Sequence, residues 1–200
     1  TMRLKIIVFL LAVAIVFAQN DKSQLYNSLL SKYGDINSIS LKFKSLNNHS
    51  LEGKLDAQKG NKYVLRLGDR VITCNGKTLW NYSETDNNVI VSNFDSNIHT
   101  NSLENFFFSL ISQLNPVELK VESSSRGTSF RILTLEPKTS EQFSQIKLWI
   151  DSKGEIASIA IIKDKIEEKW AIWDVRINPK FEKEHFNFKA PKNVETIDIR

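Results

Sequence analysis

The sequence has few cysteines, glycines and prolines, and these shortages exclude several classes of protein. Its one cysteine, Cys74, cannot form an internal disulfide, so a small disulfide-stapled scaffold is excluded. Seven glycines and four prolines provide few flexible ligand loops, and no glycine-rich loop has the spacing of a phosphate cradle. Because no stretch rich in proline, glycine or serine divides the chain, we expect one domain.

Groups that carry catalysis are also scarce. The three histidines, His49, His99 and His185, lie far apart in unrelated contexts. There is no His-Glu-x-x-His pair for zinc and no Gly-x-Ser-x-Gly nucleophile elbow. Cys74 lies in a strand-like run, which favours a small apolar residue over a reactive thiol. We therefore expect no enzymatic activity, no bound metal and no cofactor.

The charges are nearly balanced, with 27 Lys and Arg against 23 Asp and Glu. They are interspersed along the chain, and no basic stripe is present that would follow a phosphate backbone. Nucleic acid is therefore not an expected partner.

The one long apolar run stands near the start of the sequence. Arg3 and Lys5 precede the run at residues 6–17, and Val16 and Ala18 occupy the small-residue positions before a cleavage site. This is the pattern of a secretory signal peptide, with a retained N-terminal anchor as the alternative. We expect a signal peptide at residues 1–18 and one mature domain at residues 19–200. Without Arg3 and Lys5, 25 basic residues face 23 acidic ones, a net charge of +2.

Most of the remaining sequence alternates between apolar and polar residues, as half-buried strands do. Asn75-Gly76 between two such runs is typical of a tight hairpin in which both turn residues have positive φ. Because no helices intervene regularly, we expect an antiparallel meander curled into a barrel or half-barrel. The predicted strands cover residues 38–44, 49–57, 62–67, 71–74, 78–82, 89–92, 117–122, 129–135, 145–150, 155–162, 169–177 and 186–188.

Two segments have helical periodicity. The first covers residues 23–34, with Ser23 as its N-cap and Gly34 at its end. The second covers residues 102–114 and is stopped by Pro116. Its apolar arc is wider than a surface helix needs and contains Leu103, Phe106, Phe107, Leu110, Ile111 and Leu114. Together with the aromatic residues of the strands, this arc either fills a closed barrel or lines an open cavity; periodicity alone leaves both open.

Several segments resemble, in the same order, motifs of the outer-membrane lipoprotein carrier family (LolA). Residues 75–82, Asn-Gly-Lys-Thr-Leu-Trp-Asn-Tyr, resemble its Asp-Gly-Lys-Thr-Leu-Trp-x-Tyr hairpin. Residues 52–55, Glu-Gly-Lys-Leu, resemble its glycine-containing strand, and residues 133–138 resemble its Leu-Thr-Pro-Lys stretch. Residues 186–194 resemble its Phe-x-Phe-x-x-Pro-x-Gly-Val stretch, and the second helix falls where the family has a lid helix.

The resemblance implies an all-β (α+β) fold: an incomplete antiparallel β-barrel that encloses an apolar cavity and is covered by short helices forming a lid. It implies a monomeric periplasmic carrier that takes acylated lipoproteins from an inner-membrane lipoprotein-releasing ABC complex and delivers them to an outer-membrane acceptor lipoprotein. With faces assigned by alternation, the expected cavity residues are Tyr63, Leu65, Trp80 and Tyr82 on the sheet side, and Phe106, Phe107, Leu110 and Ile111 on the lid side.

One departure from the family concerns lid control. The family's Arg-Pro pair before the asparagine aligned with Asn61 is replaced here by Lys59-Gly60. Lysine keeps the positive charge but lacks the planar fork with which arginine holds several carbonyls. Lys59 is therefore either a lid contact or a solvated turn residue.

Two other functions remain open from the sequence. The same scaffold would serve a module that binds a different lipid or senses envelope stress. A structural or adhesive β-sandwich with a solid core is the third hypothesis.

Overall fold

The computed structural model describes residues 21–48, 51–95, 108, 110–123, 127–139 and 143–200, which are mostly β-structure. Helix α1 covers residues 21–33, and a 3-10 helix covers Leu110–Gln113. The strands are β1 (Ser38–Ser45), β2 (Glu52–Gln58), β3 (Lys62–Leu67), β4 (Arg70–Asn75), β5 (Thr78–Ser83), β6 (Asn88–Asn93), β7 (Leu114–Ser123), β8 (Ser129–Pro137), β9 (Gln145–Ile150), β10 (Ile156–Lys163), β11 (Ile166–Ile177) and β12 (Glu195–Asp198). The predicted signal peptide at residues 1–18 lies outside the described residues.

The chain divides into two compact units, and each is described by itself. The first unit comprises Thr1–Tyr33 and Ser112–Glu167. Its strands form an antiparallel sheet in the order β10–β9–β8–β7, and Leu133, Leu135, Ile146 and Leu148 alternate along β8 and β9 with no exposed surface. The prediction of a single domain at residues 19–200 is not tested by this division.

Helix α1 is tied to the first unit's sheet along its length. Leu25, Tyr26, Leu29 and Tyr33 recur at helical spacing and are buried. The Tyr26 hydroxyl donates to the Leu114 carbonyl at 2.6 Å, and the Tyr33 hydroxyl lies 3.3 Å from the Glu155 carboxylate. The predicted cap at Ser23 is wrong, because residues 21 and 22 are already helical. Gly34 does follow the last helical residue.

The second unit comprises Gly34–Ile111 and Glu168–Arg200, and it includes β11 from its third residue onward. Its strand order is β12–β6–β5–β4–β3–β2–β1–β11. Neighbours from β6 through β11 pair antiparallel, as the alternation predicted, whereas β12 pairs parallel to β6. The sequence missed β12, because all four of its residues are exposed and carry no amphipathic signal. The predicted strand at residues 186–188 is wrong, since this segment is turn and coil.

The predicted hairpin at Asn75-Gly76 is confirmed, but its turn differs from the predicted type. Cys74 pairs with Leu79, and the two residues between the strands are Gly76 and Lys77, one position later than predicted; Gly76 has a positive φ of 91°, and Asn75 does not. The Asn75 side-chain oxygen instead accepts the backbone N–H groups of Lys77 and Thr78, at 3.1 and 2.9 Å. Asparagine thus closes this turn by a side-chain bond and not by a left-handed backbone.

The predicted helix at residues 102–114 ends earlier than expected. Residue 108 is helical, the 3-10 helix follows, and strand β7 already begins at Leu114; residues 102–107 and 109 lie outside the described residues. Lys138 holds the end of the 3-10 helix by donating its backbone N–H to the Gln113 carbonyl and its ammonium to the Ser112 carbonyl. Pro116 lies inside β7, which is the end strand of the first unit's order, where a missing N–H costs little.

Within each unit the strand order does not return to its first strand, so both sheets are open. An open, mostly antiparallel β fold agrees with the predicted half-barrel, while the helical lid and the enclosed cavity stay predictions. Within the described residues, no helix is both long and apolar enough to cross a membrane.

Candidate functional site

The register of the second unit's sheet sorts its side chains onto two faces, because directly paired residues point to the same side. Leu41 pairs with Leu55, Leu55 with Leu65, and Leu65 with Ile72. We call this side the apolar face; its apolar residues and glycine are Ile39, Leu41, Phe43, Gly53, Leu55, Ala57, Tyr63, Leu65, Leu67, Ile72, Cys74 and Leu79, and Arg70, Asn81 and Ser83 lie at its β4–β5 end. The opposite side is the mixed face; it comprises Ser40, Lys42, Lys54, Asp56, Val64, Arg66, Val71, Thr73, Trp80 and Tyr82.

Burial on the apolar face is uneven. Ile39, Leu41, Leu55, Ala57 and Cys74 are at most 1% exposed, which confirms Cys74 as a small core residue. By contrast, four apolar side chains of β3, β4 and β5 are only half-buried; they are Leu65, Leu67, Ile72 and Leu79. On this face, the apolar surface that remains accessible therefore lies on β3, β4 and β5.

A close contact at the β1–β2 pair explains the glycine of the Glu52-Gly53-Lys54 segment. A side-chain carbon added at Gly53 would overlap the Arg66 carbonyl oxygen and lie 2.8 Å from the tip of the Phe43 ring. The Phe43 ring also meets Trp170 edge-on, with the ring centroids 5.7 Å apart. Glycine at this position therefore leaves room for the tip of the Phe43 ring and for the backbone of β3.

The mixed face carries a buried carboxylate network that the sequence did not reveal. Asp56 is 5% exposed; its carboxylate accepts from the Ser40 hydroxyl at 2.6 Å and from the Lys54 ammonium at 2.9 Å, and it lies 3.2 Å from the His185 ring. Arg176 in turn donates to the Ser40 hydroxyl. Burial raises the pKa of Asp56, but the bonds from Ser40 and Lys54 outweigh it and hold that pKa below the usual value.

The segment that brings His185 to the sheet lies after β11. Phe186 packs with Val64 and Val71 in a small apolar cluster, and Phe181 packs against the same cluster. The His185 ring stacks on the Phe181 ring at 4.6 Å between centroids. Two aromatic anchors thus hold residues 181–186 on the mixed face.

A family model described as "Outer membrane lipoprotein carrier protein LolA" matches residues 40–189, about three quarters of the chain. The chain belongs to the LolA family. The match spans β1 to β11 and includes both the apolar face and the segment that carries His185.

Two solved structures have a similar fold. An uncharacterized conserved protein from Thermus thermophilus aligns with a TM-score of 0.52 at 12% identity, over 88% of this chain and 99% of that one. LprF from Mycobacterium bovis aligns with a TM-score of 0.51 at 9% identity, over 88% and 98% of the two chains. No curated protein sequence matches significantly.

Within this LolA-family sheet, the four predicted cavity residues of the strands lie on two faces. Tyr63 and Leu65 are on the apolar face, while Trp80 and Tyr82 are on the mixed face. The prediction that all four line one surface is therefore wrong. Tyr63 pairs with Cys74 and Cys74 with Leu79, so the apolar position on β5 is Leu79, one residue before Trp80. Such a one-residue difference in register exchanges every side chain between the faces.

The four residues predicted for the lid are only partly described. Phe106 and Phe107 lie outside the described residues. Leu110 begins the 3-10 helix, and Ile111 follows with a side chain that is 1% exposed. That these residues bind lipid, together with Tyr63 and Leu65, stays a prediction.

Lys59 lies in the turn between β2 and β3. Its ammonium is 3.5 Å from the Asp35 carboxylate, and its backbone N–H donates to the Asn37 carbonyl at 2.9 Å. The Lys59 and Asp35 side chains are both exposed, at 42% and 101%. These contacts fit a solvated turn residue; whether Lys59 also contacts the lid stays a prediction, because residues 102–107 of the predicted lid helix lie outside the described residues.

Proposed function

We propose that this chain is an exported carrier that binds the acyl chains of lipoproteins and delivers them to the outer membrane. The observation that carries the proposal is the match of the lipoprotein carrier model over residues 40–189. The apolar face supports it, because Leu65, Ile72 and Leu79 provide apolar side chains that are not fully buried in the protein itself.

The energetics of acyl chains fit a carrier of this kind. Each methylene moved from a bilayer into water costs about 0.8 kcal/mol, so a multiply acylated protein leaves a membrane only if its chains are covered. A half-buried apolar surface covers such chains without enclosing them permanently, which permits release. Transfer by this route makes and breaks no covalent bond, so the proposed carrier is not an enzyme and uses no cofactor.

The proposed partners are those that the sequence resemblance to the carrier family implies. A carrier that ends at the outer membrane works in the periplasm, as a monomer, between two membrane-bound partners. An inner-membrane lipoprotein-releasing ABC complex would supply the acylated cargo, and an outer-membrane acceptor lipoprotein would receive it.

The two faces of the sheet permit a controlled binding test. The mature chain from Gln19 is titrated with an environment-sensitive fluorescent fatty acid, alone and as the variants Leu65→Glu, Ile72→Glu and Trp80→Glu. A buried carboxylate is costly beside an acyl chain, so we expect Leu65→Glu and Ile72→Glu to weaken binding by about tenfold or more. Trp80→Glu is the matched control on the mixed face, and we expect it to bind like the unaltered protein.

Either of two results would contradict the proposal: no saturable binding by the unaltered protein, or equal loss in all three variants while circular dichroism shows an intact fold. A second measurement identifies the cargo. Mass spectrometry of material co-purified from the native host should find acylated lipoprotein. Free glycerolipid in its place would favour the alternative, a module that binds another lipid or senses envelope stress.

A further inference from the structure

The mixed face of the second unit contains a pocket that lipid binding on the apolar face does not use. The pocket has a volume of about 330 Å³ and lies between strands β3 to β5 and residues 185–191. Val71, Tyr82 and Phe188 contribute apolar wall, and Arg66, Glu84 and Lys189 contribute charged groups.

The walls of this pocket are held in place by contacts on both sides. His185 lines the pocket and lies 3.2 Å from the buried Asp56 carboxylate. Asn187, also in the wall, accepts from the Asn75 amide at 3.1 Å. The Phe188 ring packs on Tyr82 with 5.4 Å between centroids. The pocket is therefore preformed, which lowers the entropic cost of binding a ligand.

The charges around the pocket favour an anion. Arg66 and Lys189 supply two positive charges against the single carboxylate of Glu84. Among the described residues, none of these three side chains takes part in an ion pair or hydrogen bond, so both cations are available to a ligand. A guanidinium presents paired donors that match a carboxylate or phosphate.

We propose that this pocket binds a small anionic ligand with a ring-sized apolar body. Its carboxylate or phosphate would lie between Arg66 and Lys189, and its body would pack on Tyr82 and Phe188. The volume is at the lower end of the range for small-molecule sites, about 300–1,000 Å³, so the site suits a small molecule better than several long acyl chains. Because it lies on the opposite side of the sheet from Leu65 and Ile72, occupation of one site leaves the other open.

Titration followed by amide chemical shifts tests this site with three probes. Phenyl phosphate carries both the anion and the ring, inorganic phosphate carries only the anion, and benzyl alcohol carries only the ring. We expect phenyl phosphate to shift the amides of Thr73, Tyr82 and Lys189. Arg66→Gln should weaken its binding by about tenfold, because a charge-assisted bond is lost.

Two further variants distinguish binding at this pocket from nonspecific attraction of the anionic probe to the positive charges of the protein. Arg131→Gln removes an exposed arginine of the first unit and is expected to leave binding unchanged. Glu84→Gln removes the opposing carboxylate and is expected to strengthen binding by roughly threefold. Inorganic phosphate that binds as tightly as phenyl phosphate would overturn the proposed apolar body of the ligand, because the ring would then contribute nothing to binding. Three results would overturn the proposal. They are phenyl phosphate binding that Arg66→Gln does not weaken, benzyl alcohol binding as tight as that of phenyl phosphate, and no shift at the amides of Thr73, Tyr82 and Lys189.

Discussion

Replacing Asp56 by asparagine removes one charge from the mixed face of the second unit and almost no volume. In the folded protein the Asp56 carboxylate receives the Ser40 hydroxyl at 2.6 Å and the Lys54 ammonium at 2.9 Å, with the His185 ring at 3.2 Å. Because β1, β2 and the segment after β11 all reach this one carboxylate, the substitution perturbs three parts of the unit together.

The size of the effect follows from the burial of each partner. A hydrogen bond to a charged group contributes about 1.5–3 kcal/mol, against about 1 kcal/mol for a neutral one. The Ser40 side chain is fully buried, and asparagine would still accept its hydroxyl, as a neutral oxygen. Lys54 and His185 are about one-third exposed, at 36% and 32%, so water screens their attraction to the carboxylate. We expect Asp56→Asn to lower the free energy of unfolding by about 2 kcal/mol.

The pH dependence has a defined sign. The pKa of Asp56 lies below the usual 3.8: burial raises it, and the bonds from Ser40 and Lys54 lower it by more. A carboxyl group with a lowered pKa stabilises the folded state above the unfolded value of 3.8, and the stabilisation is lost as pH falls through the folded pKa. The difference between the unaltered protein and Asp56→Asn should therefore be present at about pH 5 and shrink as pH falls below 3.8.

Urea unfolding followed by tryptophan fluorescence at several pH values measures this difference. Asp174→Asn is the matched control, because Asp174 makes an exposed ion pair with Lys42 at 3.2 Å, which contributes about 0.5 kcal/mol or less. The reasoning would be refuted by an Asp56→Asn effect no larger than the control, or by one that persists undiminished at about pH 2.

Two further substitutions probe packing in the two units. Gly53→Ala would force a carbon to within 2.8 Å of Phe43 and closer still to the backbone of β3. Denaturant unfolding should therefore show a free energy of unfolding lower by about 2 kcal/mol or more. An unchanged unfolding midpoint would contradict the contact. Tyr33→Phe removes the hydroxyl that lies 3.3 Å from Glu155 and should cost about 1 kcal/mol. Burial is the main cause that raises the pKa of Tyr33 well above 10.0, and the negative charge of Glu155 adds to it. The unaltered protein should therefore lose stability as pH rises past 10.0, and Tyr33→Phe should lose less. Parallel pH profiles of the two proteins would contradict this assignment.

Strands were predictable wherever apolar and polar residues alternate, even where both sides of the sheet are buried, as at Ser38 and Ser40 of β1. In β1, Ile39, Leu41 and Phe43 are buried at every second position, so the alternation alone located the strand. Strand β12 has four exposed residues and depends on a parallel partner about 100 residues earlier in the chain, so no local pattern marks it. Residues 186–188 show the reverse case, an alternating pattern without a strand. Phe186 is buried because it packs on Val64 and Val71 from a turn, and not because it belongs to a sheet.

The candidate site was only partly predictable, because its geometry depends on pairing between strands. The family motif at residues 75–82 located the hairpin, and the family model confirms the membership it implied. The motif did not reveal that Trp80 and Leu65 point to opposite sides of the sheet. That follows from the β3–β4 and β4–β5 registers, which are set by the length of the turns as well as by apolar pattern.

The sequence by itself determined the β-rich class, most strand positions and the family, because alternation and turn residues act over a few neighbours. The tertiary structure alone decided which side chains share a face, and it alone assembled the Asp56 network from Ser40, Arg176 and His185. These groups are polar residues at unremarkable positions, and the bonded pairs Asp56–His185 and Ser40–Arg176 are 129 and 136 residues apart in the sequence. Nothing in local sequence specifies such a meeting, because it results from the register of β1 against both β2 and β11 and from the packing of Phe181 and Phe186 on the sheet.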